Sequence, residues 1–182
     1  MFLKQATWDI HLRLEKRLAV KDRFSDVGLY CKHLGRLWAF QATAEENWSV
    51  PLGQALDDYS VRRKADLIAG DIVALGFAPP TAHAEIPETA GPVEALGGFY
   101  VFEGATLGGQ HLLPIVERKL GLSADRGASY LASYGAQVKP MWQKFLATVD
   151  AHCATPQARE QAAAKARETF LALERWLCAD LA

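Results

Sequence analysis

Residues 99–114 read FYVFEGATLGGQHLLP. The stretch is apolar, runs for several helical turns and meets no proline until its last residue. Yet it holds Gly104, Gly108 and Gly109, and each glycine costs a helix about 1 kcal/mol relative to alanine. Gly104 and Gly108 are four apart and share one helical face, with Gly109 beside them. A face stripped of side chains lets another object approach the backbone closely. That object is either a second helix, as in small-xxx-small packing, or a flat ligand. Gly109 invites a bend at the point of approach. The aromatic residues Phe99, Tyr100 and Phe102 suit a core equally well.

Working outward, the chain is helical almost throughout. Leu3, Ala6, Ile10, Leu14 and Leu18 recur at helical spacing in the first segment. A second helix is expected from Asp26 to Trp48, ending before Pro51, and a third over 60–75 with Gly76 as its C-terminal cap. FAPPTAHAEIPETAGP (77–92), with four prolines, reads as a loop. The glycine-bearing helix spans 93–120. A helix interrupted at Pro140 follows, then a final one opened by Thr155-Pro156, a capping threonine before proline at the first helical position. No alternating run calls for a strand. The expectation is one all-α domain, 1–182, of about seven helices.

With 182 residues, half of them hydrophobic, the chain can bury a substantial core. A net charge of −1 offers no attraction for nucleic acid or an anionic membrane. Cys31, Cys153 and Cys178 are odd in number and widely spaced, which suits a reducing compartment and no zinc site. The charged N-terminus, MFLKQATWDIHLRLEKRL, lacks a signal-peptide core, no run reaches membrane-spanning length, and RWLCADLA at the end is too short for an anchor. A cytoplasmic location is expected. RRK (62–64) reads as a solvated helical face.

On the first helix Lys4, Thr7 or Trp8, His11 and Glu15 form a stripe beside the apolar one. Glu15, one turn after His11, can accept a hydrogen bond from one imidazole nitrogen, fixing the ring and raising the basicity of the other toward a metal. An ordinary i,i+4 polar pair has the same spacing. A carboxylate di-iron site would need Glu three residues before a histidine. Trp8, Tyr30, Pro80, Gly108 and Val149 precede the five histidines instead. No H-E-x-x-H, phosphate-binding loop or G-x-S-x-G motif occurs.

These motifs together resemble the heme oxygenases. LKQATWDIH (3–11) with Glu15 is similar to their proximal helix. YVFEGATLGGQ (100–110) is similar to their distal helix, in the bacterial form Y-V-x-E-G-x-x-L-G. RRKADLIAGDIVALG (62–76), the YG at 134–135 and MW-x-x-F at 141–145 also resemble that bacterial branch, which includes enzymes that supply biliverdin to bacteriophytochromes.

The resemblance implies heme, both cofactor and substrate, held between the two helices and cleaved to biliverdin, carbon monoxide and ferrous iron. It implies O2 as oxidant, an external reductant (a ferredoxin or a flavoprotein reductase) and a bacteriophytochrome as recipient. His11 matches the proximal iron ligand and Glu15 its orienting partner. Lys4 matches a basic residue that meets a propionate, and Lys144 or Lys139 is the candidate on the other side. Gly104 and Gly108 match the close-contact positions at which the reaction proceeds, with Gly109 giving flexibility. Ala105 stands where mammalian members carry aspartate, and Glu103 is expected to be a structural ion-pair partner. His111, three residues after Gly108, falls near the same face; as a second iron ligand it would suit a non-catalytic heme carrier or sensor, the alternative on the same fold.

Overall fold

A computed structural model describes residues 1–18, 24–78 and 80–179. Among the described residues there are nine α-helices and no β-strand beyond isolated bridges at Ser123. They are α1 (Phe2–Leu18), α2 (Val27–Asn47), α3 (Ser49–Ala55), α4 (Tyr59–Arg62), α5 (Ala65–Ala74), α6 (Pro92–Leu120), α7 (Ser129–Ala132), α8 (Val138–His152) and α9 (Pro156–Leu177). None is long and apolar enough to cross a membrane. Pro79 of the proline-rich segment and residues 180–182 lie outside the described residues.

Several boundaries follow the local signals. Asp26 caps α2, its carboxylate accepting from the Leu29 N–H at 2.9 Å. Thr155 caps α9 and Pro156 takes the first helical position. Gly76, just past α5, adopts φ +83°, the left-handed conformation that ends a helix.

The second helix ends where expected, with Trp48 as its C-terminal cap, and a further short helix, α3, follows it. Two boundaries differ from expectation, at Pro140 and within 60–75. Pro51 and Pro140 fall at the third residues of α3 and α8. In a first turn the backbone N–H has no intrahelical partner to lose, so proline neither stops nor interrupts the helix. The expected helix over 60–75 is two helices, because the Glu45 carboxylate accepts from the N–H groups of Lys64 (2.5 Å) and Ala65 (3.1 Å). A carboxylate from α2 thus caps α5 and forces a new start there.

The long helix α6 runs through the middle. At Gly97 an added Cβ would overlap the backbone of Ala162, so α6 and α9 cross with their backbones nearly touching. α9 also holds α1. Arg167 bonds Asp9 at 2.8 Å, while Arg13 and Arg17 reach the buried Glu174 carboxylate at 2.6 and 3.2 Å. His11 lies between these two clamps.

Apolar packing falls into two groups. One joins α1, the first half of α6, α8 and α9 through Leu3, Ile10, Phe99, Phe145 and Leu173. The other joins α2, α5, α7 and the second half of α6 through Tyr30, Ile68, Val116 and Leu131. The space between them is the site.

Candidate functional site

A cavity of about 740 Å³ opens between α1 and α6, within the roughly 300–1,000 Å³ typical of small-molecule sites. From α1 it is lined by Lys4, Thr7, Trp8, His11, Glu15 and Leu18. From α6 it is lined by Tyr100, Gly104, Gly108, His111 and their neighbours. Both sets recur at spacings of three and four, so each helix turns one continuous stripe to the cavity. α2 closes the floor with Tyr30, His33, Leu34 and Leu37, and Phe170 and Leu173 of α9 complete a wall.

The His11 imidazole has its Nε2 3.4 Å from Glu15 Oε1. Its ring packs at 5.8 Å edge-on to Phe170 and at 5.9 Å from Trp8. The ring is 40% exposed, so rotation about its Cβ–Cγ bond can present either nitrogen to the cavity. Lys4 stands one stripe position further out, its ammonium 5.2 Å from the Trp8 ring centre. Of the described residues lining the cavity, Lys4 and Glu15 have the formally charged side chains; most of the rest is apolar or aromatic.

The glycines divide. An added Cβ at Gly104 or Gly108 would meet nothing within 4 Å, and both residues line the cavity. Their bare faces are therefore directed at a ligand space and not at another helix. Gly109 also lines the cavity, but its Cβ would stand 2.6 Å from the Leu131 carbonyl oxygen. It admits the backbone of α7 against α6, a packing role that the sequence does not reveal.

Behind the cavity, Glu103 points away from it, as expected of an ion-pair partner. Its carboxylate accepts from Arg62 Nη1 at 2.5 Å and from the Tyr134 hydroxyl at 2.6 Å. Burial pushes the Glu103 carboxyl up, opposed by Tyr134 and Arg62. Arg62 also binds Asp58 at 2.6 and 3.0 Å. This corrects the reading of RRK as a solvated face: Arg62 is 0% and Lys64 4% exposed. Arg62 pairs with Glu103 on another helix, which no local pattern reveals, and the Lys64 ammonium donates to the Val61 and Arg62 carbonyls. The network fastens the turn of α6 immediately before Gly104.

Lys144 belongs to that network and not to the cavity. Its ammonium lies 2.9 Å from Asp58 Oδ2, and neither it nor Lys139 lines the cavity. His111 lines it and is exposed. The α2 floor was missed: Tyr30, His33, Leu34 and Leu37 have helical spacing, but in sequence they are indistinguishable from core.

Comparison with known proteins agrees with this geometry. The heme oxygenase family model matches residues 52–179, a span that contains the α6 glycines and stops short of α1. A solved structure of the NO- and CO-bound heme oxygenase from Neisseria meningitidis superimposes with a TM-score of 0.84 at 24% identity. That likeness covers 97% of this chain and 90% of the other, and it shows the fold. No curated protein matches the sequence. The chain belongs to the heme oxygenase family and is a heme-degrading enzyme.

Proposed function

From that membership we infer that the chain opens heme oxidatively to biliverdin, carbon monoxide and ferrous iron, using O2 and electrons from a ferredoxin or a flavoprotein reductase. The observation that carries this reading is the pairing of His11 with the bare faces of Gly104 and Gly108 across one apolar cavity. The residues present fit heme: an imidazole on one wall, and on the other a helix face with no side chain to hold a flat ring off. Heme supplies both the iron at which oxygen is activated and the ring carbon that is attacked.

The protein's contributions are separable. His11 binds the iron through one ring nitrogen, while Glu15 engages the other and fixes the ring's direction. Lys4, at the mouth, pairs its ammonium with a propionate carboxylate. Gly104 and Gly108 let the ring lie against the α6 backbone. The Glu103–Arg62–Tyr134 bonds hold that backbone from behind. The apolar walls exclude bulk water and strengthen every polar contact inside.

His111 stands three residues beyond Gly108, about 4.5 Å along the helix axis, and its side chain is exposed. In this reading it lies at the exposed edge of the cavity and would not bind the iron.

An optical time course tests the proposal. Equimolar hemin is bound, a ferredoxin–reductase couple is added in air, and the heme band is followed. Decay of that band as a biliverdin band grows is the expected result. Stable binding with bleaching no faster than for unbound hemin would overturn it in favour of a heme holder.

A further inference from the structure

Helix α1 is supported from one side. It packs along α9, and the cavity separates it from α6. Three rows run down it at helical spacing. Leu3, Thr7, Ile10 and Leu14 form the buried middle row. On one flank Lys4, Trp8, His11 and Glu15 line the cavity. On the other flank Asp9, Arg13 and Arg17 are ionic, and each pairs with α9: Asp9 with Arg167, and both arginines with Glu174.

The roll of α1 about its own axis couples the two flanks. Ile10 and Leu14 share one apolar group with Leu173 and Leu177 of α9. Such contact is non-directional; it sets how close the helices lie and only weakly how α1 is turned. The ionic flank supplies the angle. Arg13 donates from Nε to Glu174 Oε1 at 2.9 Å and from Nη2 to Oε2 at 2.6 Å, a planar fork that fixes direction as well as distance. Arg17 adds a bond to Oε1 at 3.2 Å. Glu174 itself is 3% exposed, and Arg13, with Arg17, holds its carboxyl below the usual carboxylate range. For adhesion alone that buried charge is unnecessary, because a packed apolar residue would join the helices as well. Its effect is on aim: about 10° of roll carries an atom at a helix surface, about 5–6 Å from the axis, sideways by about 1 Å. One turn before Glu174, Phe170 meets the His11 ring edge-on, so α9 touches both flanks.

We propose that the Glu174 carboxylate, through Arg13 and Arg17, sets the roll of α1 on α9 and thereby aims the His11 imidazole into the cavity. Glu174 is then a positioning residue for the iron ligand, acting from the far flank of the helix that carries it. The inference rests on the reading of His11 as that ligand.

The test uses Glu174→Met in the whole protein, which keeps the bulk and releases both arginines to water. In the ferrous heme complex the iron–histidine stretching band, read by resonance Raman scattering, should broaden, because the ring takes up a range of angles. Hemin should pass to an excess of apomyoglobin about tenfold faster, the lower end of the cost of losing a partner that orients a metal ligand. Glu45→Gln, at a buried carboxylate bonded to the start of α5, is the control for general loosening. It should lower the melting temperature and leave the band and the transfer rate unchanged. A folded Glu174→Met protein with the wild-type band and transfer rate overturns this inference alone. So does a control that reproduces both changes. Where Glu174→Met does not fold, Arg17→Met, which spares the fork, decides: the same changes at smaller size support the inference, and no change overturns it. Wild-type protein without an iron–histidine band, or His11→Ala with an unchanged one, overturns the assignment of His11, and this inference with it.

Discussion

At His11 the side chain's value depends on what holds it, and the two partners differ in kind. Phe170 and Trp8 restrict the ring by contact, and Glu15 engages it by charge. Removing the ring and removing its partner should therefore give different spectra. His11→Ala should abolish the imidazole-type absorption of bound ferric heme while the apolar walls retain some affinity. An unchanged spectrum would assign the ligand elsewhere. Glu15→Ala should keep the spectrum and weaken heme binding by about tenfold, the lower end of the 10–100-fold cost of losing a partner that orients a metal ligand, because Glu15 is 62% exposed. Titration with hemin reads both. His111→Ala should leave spectrum and turnover unchanged; a changed ferric spectrum would place His111 on the iron. The stripe on α1 was legible in the sequence because its chemistry resides in residue type at helical spacing. Lys144 was not, because its partner Asp58 lies 86 positions away in the chain.

In α6 two neighbouring glycines serve opposite purposes. Gly108 opens onto the cavity, and Gly109 meets the Leu131 backbone. In the heme-free protein Gly108→Ala should stabilise by up to about 1 kcal/mol through helix propensity. Gly109→Ala should destabilise by about 1–3 kcal/mol, since a backbone carbonyl cannot rotate aside as a side chain can. Thermal unfolding of the two heme-free variants checks the opposite signs; equal signs would mean that the two glycines share one environment. Gly108→Leu should weaken hemin binding with the helical fold retained, and full affinity would turn this face toward another helix. The sequence showed that the face was bare, yet not that Gly109 at its edge packs against Leu131, because one residue step rotates the side-chain direction by about a quarter turn. Element starts were legible where the cap is local, at Asp26 and Thr155. The start of α5 was not, since its cap is Glu45 from another helix.

Across the whole molecule, the apolar groups define where the cavity lies, and a buried ionic network behind α6 joins Asp58, Arg62, Lys64, Glu103, Tyr134 and Lys144 from four segments. This network titrates. Burial opposes the Asp58 charge, but bonds from Arg62 and Lys144 prevail and hold its carboxyl at about 2. Its contribution is therefore complete above the ordinary carboxylate range and is lost as pH falls toward 2. Lys64 acts in the opposite sense. Burial lowers its ammonium from 10.5 to about 8, against the pull of Glu103 and Glu45. Its Nζ donates to the carbonyls of Val61 and Arg62 at 3.2 and 3.1 Å and sits 3.7 Å from the Tyr134 ring centre, with no carboxylate in direct contact. Between pH 8 and 10.5 the unfolded chain binds the lysine proton and the folded chain does not, so this residue's contribution to stability rises with pH in that window. Below it, the buried charge is a cost on the order of 3 kcal/mol. Cys31 and Cys153 have thiols raised by burial, and the raised phenols include Tyr134; these act in the opposite direction at alkaline pH. The total curve therefore hides the lysine, and a difference between two proteins exposes it. Lys64→Met keeps the bulk and removes the charge, so any stability advantage it shows at pH 7 should shrink by roughly 3 kcal/mol as pH rises to 10.5. Urea unfolding of both proteins at each pH measures this gap, and a gap independent of pH would mean that Lys64 is as well solvated in the folded chain as in the unfolded one.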